Sequence, residues 1–209
     1  MTKRAPRLLR RLRKAILAGR ALREDARANA LVEMALILPV MLMVLALVIY
    51  GAEGFAIYRK VTLTARTVTD LITQSTPTQY GANQTSIMSA ATITNNLQVA
   101  SSVLAPYSAA NMTMVVSEVL VQNGGTTATV QWSEPYNGGS ARPSGQSITL
   151  PGTIGTGQVG NYFIFGEVYY SYVPLNLYQS LNSMTLYGSI FLTPRQSASI
   201  TCSDCVTHD

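Results

Sequence analysis

Charge is scarce in this sequence. Asp, Glu, Lys and Arg make up 12% of 209 residues, about half of the ~25% usual in soluble globular domains. That scarcity argues against an ordinary cytosolic enzyme. Histidine is scarcer: the one copy, His208, stands second from the end and leaves little for imidazole catalysis. The two cysteines, Cys202 and Cys205, are too few for a disulfide-dense scaffold or a four-cysteine zinc site. The acids Glu118, Glu134 and Glu167 cannot be paired from sequence, and no spacing nominates a nucleophile, a metal or a cofactor. The expectation is a protein that is not an enzyme and holds no cofactor or metal.

The charge that is present is unevenly placed. Residues 1–27 carry ten of the fifteen Lys and Arg together with Glu24 and Asp25, a net of +8, whereas the remainder is −3. A basic tail suits nucleic acid, anionic lipid or a topology signal, and the next segment decides among them. Residues 30–52 read ALVEMALILPVMLMVLALVIYGA, with Glu33 as the one charge. As a helix this run is roughly 34 Å long at 1.5 Å per residue, enough for a ~30 Å hydrocarbon core. Basic residues just before such a span stay in the cytoplasm. The expected topology is single-pass, N-terminus cytoplasmic and C-terminal domain outside, with no nucleic-acid partner. The run exceeds the ~7–15 apolar residues of a cleaved secretory signal.

Glu33 stands near the start of this run. A carboxylate in hydrocarbon costs a few kcal/mol. Either Glu33 lies at the interface and reaches water, or it pairs with a positive group on another chain. Pro39 removes a backbone hydrogen bond inside the helix and bends it locally.

The segment Ala28-Asn-Ala-Leu-Val-Glu33-Met-Ala-Leu-Ile-Leu-Pro39-Val resembles the N-terminal signature of TadE/TadG-like pilus-assembly proteins, pilin-like components of the tight-adherence (Flp-type) machinery. Glu33 matches the family glutamate, Met34 stands at the usual aromatic position, and Pro39 matches the proline. The resemblance extends to the segment 58–72 and, more weakly, to Val130-Gln-Trp132-Ser133, to residues 166–174 and to the closing Phe191-Leu-Thr-Pro194-Arg195. It implies docking of the Glu33 and Pro39 helix on other pilin or pilus-assembly subunits. It also implies a prepilin-peptidase cut between Ala28 and Asn29. The family has glycine where this chain has Ala28, and an uncleaved anchor is the alternative. After cleavage the amine of Asn29 would pair with Glu33 of a neighbouring subunit and set axial register. The implied function is a minor-pilin-like structural or assembly component, and the implied location is a bacterial inner membrane with the C-terminal domain periplasmic or in the extracellular pilus. The alternatives are a membrane-anchored extracytoplasmic binding or sensing module outside any pilus and, further off, an anchored enzyme.

The implied organisation is a basic cytoplasmic leader over 1–28, a transmembrane helix and stem over 29–74, and an extracytoplasmic α+β domain over 75–209. Helix-period spacing of Val61, Ala65, Val68 and Leu71/Ile72 predicts one long helix from about residue 27 to 74, stopped by Pro77. Apolar Ile87, Ala91, Ile93, Leu97 and Leu104 predict a second helix over 84–104. Alternation predicts strands over 112–122, 127–133, 162–173 and 184–192, with Asn123-Gly-Gly as a hairpin signal and a long loop over 134–160. An antiparallel sheet of about four strands packed on helix is the natural solution.

Three motifs tempt. Gly155-Thr-Gly157-Gln-Val-Gly160 matches a dinucleotide fingerprint but has proline and glycine before it and a strand after it, so it reads as a loop. Cys202-Ser-Asp-Cys205 lies outside the membrane in the expected topology, which favours a local disulfide over redox chemistry or a three-ligand metal site with His208. Tyr162, Tyr169, Tyr170 and Tyr172 crowd one strand, suiting sheet packing or a contact surface. The sequons at Asn83 and Asn111 carry no weight in a bacterial chain.

Overall fold

The computed structural model describes residues 26–76, 85–122, 124–152, 154–173 and 183–205. The basic tail as far as Asp25, Pro77, Asn83, the predicted helix start at Gln84, Asn123 and His208 lie outside them. The chain forms two compact units, residues 1–51 and 52–209.

Helix α1, Ala26–Thr73, runs for 48 residues and contains Pro39. Its apolar part is rich in Leu, Met and Ala, the strongest helix formers among apolar residues. In the N-terminal unit those side chains are exposed, among them Leu31, Ile37, Met43 and Val48. Among the described residues, one helix is long and apolar enough to cross a membrane.

The C-terminal unit is α+β. The second half of α1 buries Ile57, Val61, Ala65, Val68 and Ile72, recurring every three or four residues on one face. Buried Thr64 and Thr69 donate their hydroxyls back to the carbonyls of Lys60 and Ala65, which satisfies them inside the core. Helix α2, Ala90–Ser101, buries Ile93, Leu97 and Ala100. Ser89 caps its N-terminus by accepting from Thr92 N, as N-cap serines do.

Both helices cover a five-stranded antiparallel sheet of order β4-β3-β2-β5-β6. The strands are β2 (Met112–Val121), β3 (Thr127–Tyr136), β4 (Ser147–Thr149), β5 (Tyr162–Tyr172) and β6 (Met184–Leu192). Met112, Met114, Val116, Trp132, Ile164, Val168 and Tyr170 join the helical residues in one core, while Val119, Val121, Val130, Phe163 and Phe165 build a second cluster. A register shift at Glu118/Val119 against β3 is the bulge that lets β3 feed both clusters. Gly166 lies where α1 crosses β5: a Cβ there would run into the Thr69 side chain.

The segment predicted as a helix over 84–104 divides. Thr85–Ile87 is a strand, β1, paired in parallel with β7 (Ser199–Thr201), and the helix begins at Ala90. Pairing with a distant strand captures residues whose apolar spacing also fits a helix. The predicted loop over 134–160 is shorter at its start, because Glu134, Pro135 and Tyr136 pair with Val116, Val115 and Met114, and it contains β4. Proline is tolerated at 135 because β4 pairs β3 only at Thr127–Thr129, leaving an open edge there.

Candidate functional site

The residues singled out in the sequence fall in separate places. Glu33 and Pro39 are both exposed on α1. At 3.6 residues per turn they point about 120° apart, so they do not share a face. Ala28 and Asn29 lie in the first turn of α1. Cys202 and Cys205 are in the other unit, buried and joined as a disulfide. Asp204, between them, accepts from Ala90 N with Oδ1, placing a negative charge at the N-terminus of α2. The ligand atoms of Cys202, Asp204 and Cys205 lie within 4.8 Å of one another. With the two sulfurs bonded to each other, this trio supplies no thiolate for a metal.

Two glutamates that sequence could not pair organise the two faces of the sheet. Alternation along β2 turns Glu118 toward the helices. Its side chain is 1% exposed. Oε2 accepts from Trp132 Nε1 at 3.1 Å and Oε1 from Ile200 N at 2.6 Å. Trp132 Nε1 also donates to Ile200 O at 2.6 Å. Both backbone groups of Ile200 are thereby met by side chains of β2 and β3, and this pins β7 to the sheet. Burial pushes the Glu118 carboxyl up from 4.5 to about 7, against the two hydrogen bonds that lower it.

On the opposite face, Glu167 of β5 is buried and accepts four hydrogen bonds. Arg142 Nε donates to Oε2 at 2.6 Å and Nη2 to Oε1 at 2.7 Å. The hydroxyls of Tyr169 and Tyr187 donate to Oε1, each at 2.9 Å. Arg142 comes from the segment between β3 and β4, and its backbone N donates to Ser133 Oγ. Its guanidinium lies 5.3 Å from the Phe165 ring centroid, within cation–π range. Phe165 in turn stacks on Phe191, centroids 4.1 Å apart. The bidentate bond to Glu167 pushes the Arg142 pKa up. Burial, followed for Tyr169 by its bond to Glu167, pushes both tyrosine hydroxyls up, so they stay protonated donors at neutral pH. Beside this network opens a cleft of about 440 Å³ lined by Arg142, Ser147, Thr149, Tyr187 and Phe191 among others.

The tyrosines of β5 divide between the faces: Tyr170 and Tyr172 pack into the helix-side core, while Tyr169 joins Glu167. Glycines 157 and 160 take positive φ in turns, and no helix follows them before β5, so that motif cradles no phosphate. Sequence reasoning missed Arg142 and Glu167 as a pair. The one available signal was an acid inside an otherwise apolar strand, which asks for a partner.

Comparison of the chain with protein-family models, curated proteins and solved structures returns no match.

Proposed function

We propose that this protein is a membrane-anchored structural or assembly component, minor-pilin-like in the TadE/TadG sense, and not an enzyme. The observation that carries this reading is the N-terminal part of α1. Residues 34–50 contain no charge, and the large apolar side chains of this stretch are exposed. A soluble helix does not present apolar residues all round; lipid or other helices must cover it. The basic residues ahead of it suit a cytoplasmic N-terminus in the inner membrane. Glu33 and Pro39, in the pattern that resembles the pilus-assembly family, suit docking on pilin-like helices, with prepilin peptidase acting between Ala28 and Asn29 or leaving a permanent anchor. The C-terminal unit is then the part that makes contacts outside the membrane.

The test combines genetics and mass spectrometry. Deletion of the gene should abolish or shorten pili, and Glu33→Ala should lose co-purification of pilus subunits while the protein remains in the membrane fraction. A mature N-terminus at Asn29 would establish processing; an intact Met1 would establish the anchor. Wild-type piliation in the deletion strain would sink the pilus reading. The cleft beside Arg142 favours a second reading, a membrane-tethered binding module outside any pilus, which the deletion phenotype separates from the first.

A further inference from the structure

The cleft on the Arg142 face of the sheet has a chemistry of its own, independent of the membrane helix and of the pilus reading. We propose that it binds a neutral saccharide. Its volume, about 440 Å³, is in the range of small-ligand sites.

Charge comes first. Arg142 is the charged residue of the lining, and Glu167 compensates it through two short hydrogen bonds. The site therefore offers no net positive charge to hold a phosphate or carboxylate. A guanidinium has five N–H donors. Glu167 fixes Nε and Nη2, and among the described residues no acceptor meets Nη1. The result is a rigid donor whose orientation is set from behind, the geometry that hydroxyl recognition needs.

Hydrogen-bonding capacity comes next. Gln146 and Ser189 line the same cleft and are exposed. The Gln146 amide makes no side-chain hydrogen bond among the described residues, and Ser189 stands opposite Glu167 on the same face of the sheet. Ser147 and Thr149, on either side of inward-turned Ile148, contribute at the rim. Each hydroxyl both donates and accepts, and the amide does so at its two ends. Such groups match the alternating donors and acceptors of a sugar ring.

The apolar contribution is aromatic. Phe191 is half-buried and backed by Phe165 in a stack tilted by 8°. Tyr187, four residues away on the same face of β6, lines the other part of the cleft with its hydroxyl held by Glu167. Flat aromatic surface next to hydroxyl-rich walls suits a molecule with a C–H face and a hydroxyl edge. A lipid chain would need a far larger apolar area, and a peptide would bring charges the site does not answer.

The experiment uses the full chain in phosphocholine micelles, because alkyl-glycoside detergents would occupy the site. Saturation-transfer difference NMR is recorded with cellobiose, maltose and N,N′-diacetylchitobiose at millimolar concentration. The expected result is transfer to the ring protons of at least one of them. Gln146 precedes inward-turned Ile148 by two residues, and Ser189 stands opposite Glu167 on the cleft face of β6. Both are exposed, so Gln146→Trp and Ser189→Trp should fill the cleft without disturbing the core. Each should weaken the signal roughly tenfold, equivalent to a tenfold change in Kd, with an unchanged circular-dichroism melt. Val99→Trp, exposed on α2, should leave the signal intact. Absence of transfer from all the saccharides, transfer unchanged in both cleft variants, or inorganic phosphate binding in their place would overturn the proposal.

Discussion

The buried Glu118 makes the stability of the C-terminal unit depend on pH in the direction opposite to that of a salt-bridged acid. In the unfolded chain the carboxyl titrates at its ordinary 4.5, and in the folded unit at about 7. Folding therefore favours the protonated form. The stabilising contribution is complete below about 4.5, declines as pH rises, and is gone above about 7. The difference between the two values corresponds to about 3 kcal/mol at 1.4 kcal/mol per pH unit. Trp132, the single tryptophan, donates to this carboxylate, so its fluorescence reports the event directly. Chemical denaturation of the full chain in micelles is followed at Trp132 from pH 4.5 to 8, for the wild type and for Glu118→Gln. The wild type should lose about 3 kcal/mol more across that range than the variant, because the amide cannot ionise. Glu118→Gln should also be weaker at low pH, since its NH2 turns a donor toward either Ile200 N or Trp132 Nε1. Identical pH slopes in the two proteins would refute the reasoning, as would a wild type whose stability rises across the range relative to the variant.

Three further outcomes are expected. Arg142→Ala leaves Glu167 buried with only two tyrosine donors and should cost about 3–5 kcal/mol, whereas Arg142→Met with Glu167→Met should recover most of that loss; a double-mutant cycle by thermal melting checks it, and a double variant weaker than Arg142→Ala would contradict it. Gly166→Ala should destabilise by about 1–3 kcal/mol, the range of overpacking, because its methyl meets Thr69; Gly166→Ala with Thr69→Ala should melt closer to wild type. Asp204→Ala removes the acceptor of Ala90 N and should cost about 1 kcal/mol, read as earlier loss of helical circular dichroism with the disulfide intact.

The apolar run of α1, its end at Thr73 and the long strands were legible because each rests on a local period. Strand β6 has the bounds Met184–Leu192 that alternation predicts, and β2 ends one residue short. The errors fall where distant chain decides the structure. Thr85–Ile87 became a strand because Ser199–Thr201 came to lie alongside. Tyr136 extended β3 because Met114 stood opposite. The disulfide motif was visible as a spacing, but not the use of Asp204 to hold the start of α2.

By itself, the sequence determined the charge asymmetry, the long apolar helix and the α+β character, since composition and periodicity are properties of adjacent residues. Only the tertiary structure decided what the buried acids do. Glu118 and Ile200, 82 positions apart, meet because β7 returns to the sheet. Glu167 and Arg142, 25 apart, meet because an irregular segment folds over the outer face. A carboxylate inside a strand announces that it needs a partner, since an unpaired buried charge is too costly to keep. Which residue answers is a matter of how the chain turns between them, and no local pattern encodes that.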